Sequence, residues 1–245
     1  MGILPSKQRL VQFLGNDDFF LWEYYGEGIF GRILGLIFKS RIKALMDLLN
    51  KLDLNFERVV DVGCGPCFVS YALASKMSGE YIGVDIISAA KLRRYKDAMK
   101  NEGVKNIEIV RASAEFLPFR AGAFDFVLSL DVLEHLQSSR EAIKEIHRVV
   151  KNGGIVAISL PLENLFQKWL RVGFALMKLI GDPILKDSKR VPIGKTPNYH
   201  YAGDVKSHDE MFRVLIKYFR HKCTKYTPIG LHKSLNINAL HIFQK

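Results

Sequence analysis

Between residues 58 and 160, short apolar runs alternate with stretches in which apolar positions recur three and four apart. Period-two or continuous apolar runs of four to eight residues predict buried strands, and the 3.6-residue spacing predicts amphipathic helices. Strands are predicted at Arg58 to Val62, Tyr81 to Val84, Ile107 to Val110, Phe124 to Leu130 and Ile155 to Leu160. Helices are predicted at Phe68 to Lys76, Ser88 to Asn101 and Ser139 to Val150, with Gly153-Gly154 breaking the last before its strand. Near the C-terminus, Ser207-His208-Asp209-Glu210 has the form of a capping box opening a helix to about Tyr218. Two more strands follow, around Lys222 to Tyr226 and Asn236 to Phe243. Strands alternating with helices imply an α/β fold, here with a seven-stranded sheet covered by helices.

One domain, 1–245, is expected, divided into a helical cap (1–55), a core (56–160), an inserted lid (161–203) and a C-terminal helix with strands (204–245). The cap contains an apolar run from Phe19 to Leu49, with Trp22, Tyr24, Tyr25 and Phe30, read as helices closing over the core. No internal repeat or low-complexity tract interrupts the chain.

Composition narrows the class. A chain of 245 residues, 48% hydrophobic and 25% charged, buries a sizeable core and is not disordered. It shows neither a cleavable leader pattern nor an uncharged run of the ~18 residues a spanning helix needs. Three cysteines make no disulfide framework. The expectation is a cytoplasmic protein. Its formal charge of +11 is concentrated at one end, with twelve Lys/Arg against four Asp/Glu from Lys186 onward and 24 against 21 before it. That basic quarter leaves two readings open, an acidic partner or a solvated surface without one.

The chemistry centres on Val59-Val60-Asp61-Val62-Gly63-Cys64-Gly65-Pro66-Cys67. Cys-Gly-Pro-Cys before a helix is the dithiol pattern of redox proteins. Asp61 at a strand end, Gly63 and Gly65 in the turn, and Asp85 closing the next strand form instead a nucleotide cradle. Glycines let the backbone approach a ligand, and an acid ~20 residues on accepts from ribose hydroxyls. The second reading accounts for more of these residues and leaves the cysteines as small side chains.

Four segments, in order, resemble the class I S-adenosylmethionine-dependent methyltransferases over about residues 55 to 162. Val59 to Gly65 is similar to the family's first motif, and Gly83-Val84-Asp85-Ile86 to the second. Arg111-Ala112-Ser113-Ala114-Glu115-Phe116-Leu117-Pro118-Phe119 is similar to the segment bordering adenine, and Phe124 to Leu136 to the fourth strand and its exit loop. The resemblance implies a Rossmann-like doubly wound fold, S-adenosyl-L-methionine as cofactor, and contacts from Asp61, Gly63, Cys64, Gly65, Asp85, Ile86, Ser113, Ala114, Glu115, Ser129 and Leu130. No metal is implied. The chain departs from the family at Cys67, where a third glycine is frequent, and at Ser113, where Asp is usual. In the family, Glu134-His135 belongs to a helix behind the site, a structural role.

Methyl transfer from a sulfonium needs alignment and, for some acceptors, a base. His200, in Asn198-Tyr199-His200-Tyr201, is the candidate base; a loop histidine packed among tyrosines is the alternative. Leu165 to Gly181 has no acid, and its Lys168, Arg171 and Lys178 fall on one narrow helical face, the rest being apolar. Such a face packs on the core as a lid or meets a lipid-like acceptor or a membrane surface. The leading expectation is therefore a methyltransferase for a small, apolar or lipid-like acceptor, with peripheral membrane contact through 165–181. The alternatives are an RNA or protein methyltransferase using the basic C-terminal quarter, and a non-catalytic subunit that binds a partner.

Overall fold

The computed structural model describes residues 4–14, 24–26, 28–52, 54–162, 201, 203–229 and 236–245. Helix α1 (Lys7–Leu14) and the long α2 (Gly28–Lys51) precede an alternating core: β1 (Arg58–Val62), α3 (Phe68–Ala74), β2 (Glu80–Asp85), α4 (Ala89–Asn101), β3 (Ile107–Arg111), β4 (Phe124–Leu130), α5 (Ser139–Val149) and β5 (Val150–Pro161). Helix α6 (His208–Tyr218), β6 (Arg220–Thr227) and β7 (Asn238–Gln244) complete it. The strands form one sheet in the order β3-β2-β1-β4-β5-β7-β6. Strands β1 to β5 are parallel and β7 runs antiparallel to both β5 and β6. This is the helix-covered seven-stranded sheet that the pattern predicts, in the Rossmann-like doubly wound form that the resemblance implies.

The strand alternation divides the core in two. Val59, Phe126, Ile155 and Ile242 face one side, where they pack with Ile42, Leu45 and Leu49 of α2, Tyr71 of α3 and Tyr95 of α4. Val60, Val127, Val156 and Phe243, their chain neighbours, face the other, against Ile143 and Ile146 of α5 and Leu215 of α6. Consecutive side chains on a strand point to opposite faces, so one-sided helices can cover both. Each fully buried Leu or Ile contributes about 1.5–3 kcal/mol, and a charge at Leu45, 0% exposed, would open the α2 contact.

Local differences from the expected pattern have physical causes. Val150 is extended and already in β5, paired in register with Phe124. Gly153-Gly154 therefore lies inside β5, at the irregularity where the register shifts between Phe124 and Phe126. A Cβ on Gly154 would stand 2.7 Å from Val150 Cγ2, so the bulge needs glycine there. Glu134 and His135 lie in a single 3-10 turn, Leu133–His135, rather than a full helix. Ser207 caps α6 by accepting from the Glu210 amide at 3.2 Å, but Glu210 returns its carboxylate to the Lys206 amide, at 2.9 Å, one residue short of a reciprocal box.

Candidate functional site

The parallel strands end together at the sheet's carboxyl edge, the place where open α/β sheets bind ligands. There the turn after β1 crosses to β2: the Gly63 and Cys64 amides donate to the Val84 carbonyl at 2.7 and 3.0 Å. Gly63 (φ +76°) and Gly65 (φ +49°) are left-handed, and a Cβ on Gly63 would lie 2.3 Å from Val132 Cγ2 in the β4 exit loop. Only glycine meets both conditions.

Asp85 spans the gap. Its Oδ2 accepts from the Gly65 amide at 2.8 Å and its Oδ1 from the Ile87 amide at 3.1 Å, so one carboxylate fixes the glycine turn against the β2 loop. A carboxylate has about four acceptor sites, which leaves capacity for ribose hydroxyls. Beside it, Ile86 is 67% exposed, and Phe116, in the loop after β3, is 77% exposed. Large apolar side chains held in solvent next to a polar cradle suit a ligand with one flat apolar face and one hydroxylated face.

Asp61 is turned inward. It is 2% exposed, accepts from the Ser70 hydroxyl at 2.8 Å, and has its acidity shifted by burial, then by the Asp85 charge, to a pKa of about 7. In these contacts it holds α3 on the turn. Cys64 and Cys67 are buried against β2: a Cβ on Gly83 would meet Cys67 Sγ at 2.6 Å and Cys64 Sγ at 2.8 Å. Burial pushes the Cys64 thiol well above its usual range. A redox dithiol needs an exposed, stabilised thiolate, and this pair is neither. Cys67 itself is left-handed (φ 59°, ψ 27°), which is the physical reason glycine suits that position.

The adenine-border residues are near one another. Ser113 donates to Glu115 Oε2 at 2.7 Å and accepts from the Glu115 amide at 3.3 Å, while Glu115 Oε1 accepts from the Ser138 amide at 3.4 Å; Ala114 is buried. Ser129 is fully buried in β4 with an unpartnered hydroxyl, and Leu130 closes the strand. The candidate base His200 and the stretch 165–181 lie outside the described residues. The next residue, Tyr201, is tied to this edge, its amide donating to the Glu134 carbonyl at 2.7 Å and its hydroxyl to the Pro161 carbonyl at 3.0 Å.

Sequence reasoning missed a polar knot at the ends of β4, β5 and β7. Asp131, left-handed at φ 54°, forms an ion pair with Arg41 of α2 and accepts from the Ser159 hydroxyl and, at 3.0 Å, from Asn238 Nδ2. Arg41 is 6% exposed and its guanidinium lies 4.6 Å from the Phe38 ring centre. Close by in sequence, the Glu134 carboxyl is buried with no hydrogen-bond partner, and desolvation raises its pKa to about 8 despite the Arg41 charge. An Arg in a predicted helix and an Asp in a quoted motif carry no mark of their pairing; only the topology brings them together.

The fold and site thus define an α/β protein whose carboxyl edge carries a cradle suited to a nucleoside-bearing ligand. The methyltransferase domain family matches residues 60–158. A demethylmenaquinone methyltransferase of Lactococcus lactis is 30% identical over 179 residues, covering 69% of this chain and 70% of that protein. A chloroplastic 2-methyl-6-phytyl-1,4-hydroquinone methyltransferase of rice is 31% identical over 123 residues, 50% of this chain; the match spans only 34% of the rice protein's length. Among solved structures, the N-methyltransferase NodS of Bradyrhizobium japonicum, in complex with S-adenosyl-L-homocysteine, superposes with a TM-score of 0.61 at 17% identity, covering 98% of this chain and 97% of that one. The chain belongs to the class I S-adenosylmethionine-dependent methyltransferases, and S-adenosylmethionine is its cofactor.

Proposed function

We propose that this enzyme methylates a small, apolar or lipid-like acceptor at the carboxyl edge of its sheet. The carrying observation is that large apolar side chains, Ile86, Phe116 and Ile229, are exposed in the loops that follow β2, β3 and β6, at the edge that carries the cradle. The two relatives named for a hydroquinone and a menaquinone precursor support the same acceptor class.

S-adenosylmethionine supplies a methyl group on a sulfonium, an activated leaving group, so the protein's task is alignment. In this reading Asp85 holds the ribose hydroxyls, Ile86 and Phe116 cover the base, and the Gly63–Gly65 turn lets the backbone approach. Ser113, Ala114 and Glu115 border the base, and Ser129 and Leu130 line the floor with Asp61 and Cys64 behind the turn. The Arg41–Asp131 pair fixes the β4 exit loop, whose Val132 packs on Gly63. His200 serves as the proton acceptor.

The basic C-terminal quarter favours a macromolecular acceptor less than its charge suggests. Lys225 is paired with Asp47 at 3.2 Å, Lys222 donates to Gln244 at 3.0 Å, and Lys245 donates to the His147 and Val150 carbonyls. Incubation with methyl-labelled S-adenosylmethionine and a total cell extract, followed by partition into organic solvent, tests the reading. Label in the organic phase supports it; label confined to precipitated RNA or protein refutes it.

A further inference from the structure

We propose that the outward face of the first half of α2 docks the enzyme on an anionic lipid bilayer, with the sheet's carboxyl edge turned toward the membrane.

At 100° per residue, Arg32, Ile33, Leu36, Lys39 and Lys43 fall within about 60° of Leu36 on the helix. Leu36 is 68% exposed, Ile33 is 40% exposed, and Arg32 and Lys43 reach into solvent on either side of them. The opposite face carries Ile42, Leu45 and Leu49, all buried against the sheet. From residue 28 to residue 46 there is no acid. The same face changes character further along, where Asp47 pairs with Lys225 and Asn50 is exposed. The apolar-and-cationic patch is therefore confined to the first half of the helix.

Its place in the fold gives the patch direction. Arg41 pairs with Asp131 at the carboxyl end of β4, and Lys51, at the other end of α2, lies near Cys223 in the middle of β6. Going back along α2 from Arg41 thus leads past the sheet's carboxyl edge. Strand β6 runs in the same direction as β5, so Ile229, 49% exposed just beyond its end, emerges at that edge too. Among the described residues, Ile33, Leu36, Ile86, Phe116 and Ile229 are exposed large apolar side chains at this edge, and Leu52 and Ile216 are the others. A protein groove would call for a hollow or a mixed-charge rim. Two apolar side chains set among cations, on a helix stretch with no acid from residue 28 to residue 46, match the boundary of an anionic bilayer, where the chains enter the acyl border and the cations meet phosphates. Lys39 is partly held back, its ammonium 4.7 Å from the Tyr25 ring centre, which leaves Arg32 and Lys43 to meet the headgroups.

The orientation places a lipid-borne acceptor beside the cofactor cradle and so deepens the apolar-acceptor reading, but docking is measured without any acceptor. The full chain is floated with phosphatidylcholine vesicles, alone or containing about one third phosphatidylglycerol. The wild type should float with the anionic vesicles and roughly tenfold less at 0.5 M salt, where the Debye length falls to only a few ångströms. Leu36→Asp and the pair Arg32→Glu with Lys43→Glu should each cut the bound fraction about tenfold while binding S-adenosylhomocysteine as the wild type does, which shows that they are folded. No flotation of the wild type, equal flotation with neutral vesicles, or variants that float unimpaired would each overturn the proposal. So would a wild-type dimer in light scattering that Leu36→Asp makes monomeric, since the face would then belong to a second copy of the chain. A failed acceptor reading would show instead as absent organic-phase label with flotation intact.

Discussion

Arg41 of α2 and Asp131 at the end of β4 form an ion pair that joins the N-terminal helices to the carboxyl edge, with the two side chains 7% and 21% exposed. Asp131 sits in the left-handed region, a conformation a non-glycine residue adopts at a cost of about 1–3 kcal/mol where the surroundings fix it. The pair and its Ser159 and Asn238 donors supply that fixing.

Arg41→Ala should lower stability by about 2–3 kcal/mol in urea unfolding. That is less than the ~3–5 kcal/mol of a fully buried pair losing one partner, because Asp131 keeps Ser159 and Asn238 as donors. Arg41→Ala combined with Asp131→Asn should cost less than the sum of the single changes. Strict additivity would show that the pair carries no coupling.

A second prediction concerns the glycine behind the turn. Gly83→Ala should destabilise the protein by about 1–3 kcal/mol through overpacking, because its Cβ would press on Cys67 Sγ and Cys64 Sγ. Cys67→Gly, which relieves a left-handed side chain, should recover part of that loss in the double variant. Thermal unfolding of the three variants decides it, and a Gly83→Ala protein as stable as wild type would show that the thiols are not packed there. The same burial predicts that the wild type does not catalyse insulin reduction.

The parts that the sequence revealed are those with local causes. The predicted boundaries of β1 and β4 match the structure to the residue, because both are near-continuous apolar runs, Arg58 to Val62 and Phe124 to Leu130, buried on both faces of the sheet. The glycine turn and Asp85 were legible because their spacing is itself the geometry, a twenty-residue separation that becomes a 2.8 Å hydrogen bond from the Gly65 amide. In the sequence alone Gly153-Gly154 has the form of a breaker, because a bulge and a break look alike until a neighbouring strand shows which it is. The Arg41–Asp131 pair and the exposed Leu36 were illegible, since the side of α2 that faces out depends on where β6 and β7 return to the sheet.

The buried Glu134 gives a pH-dependent stability whose sign follows from its raised pKa. Its folded value is about 8 against the ordinary 4.5, so its stabilising contribution is full below about 4.5 and is lost as pH rises toward 8, when the folded state must ionise a desolvated carboxyl. Glu134→Gln should therefore flatten the fall in stability between pH 4.5 and 8 and exceed wild type above pH 8 by up to a few kcal/mol. Unfolding free energies at pH 5, 7 and 8.5, with parallel curves for the two proteins, would contradict this assignment.

With His200 proposed as the proton acceptor, His200→Ala should lower kcat by about 10²–10⁴-fold and remove the acidic limb of the pH–rate profile near neutrality, while leaving cofactor affinity unchanged. An unaltered pH profile would exclude His200 as the base.

The account rests on the cradle formed by the Gly63–Gly65 turn and Asp85. Calorimetric titration of S-adenosylhomocysteine into the wild type and Asp85→Ala tests it most directly, with far-UV circular dichroism confirming that the variant is folded. One site per chain is predicted in the wild type, with affinity falling ten- to a hundred-fold in the variant, the equivalent of about 1.5–3 kcal/mol for a charge-assisted hydrogen bond. Absence of binding to the wild type, or equal affinity in the two proteins, would contradict the assignment of this edge as the cofactor site.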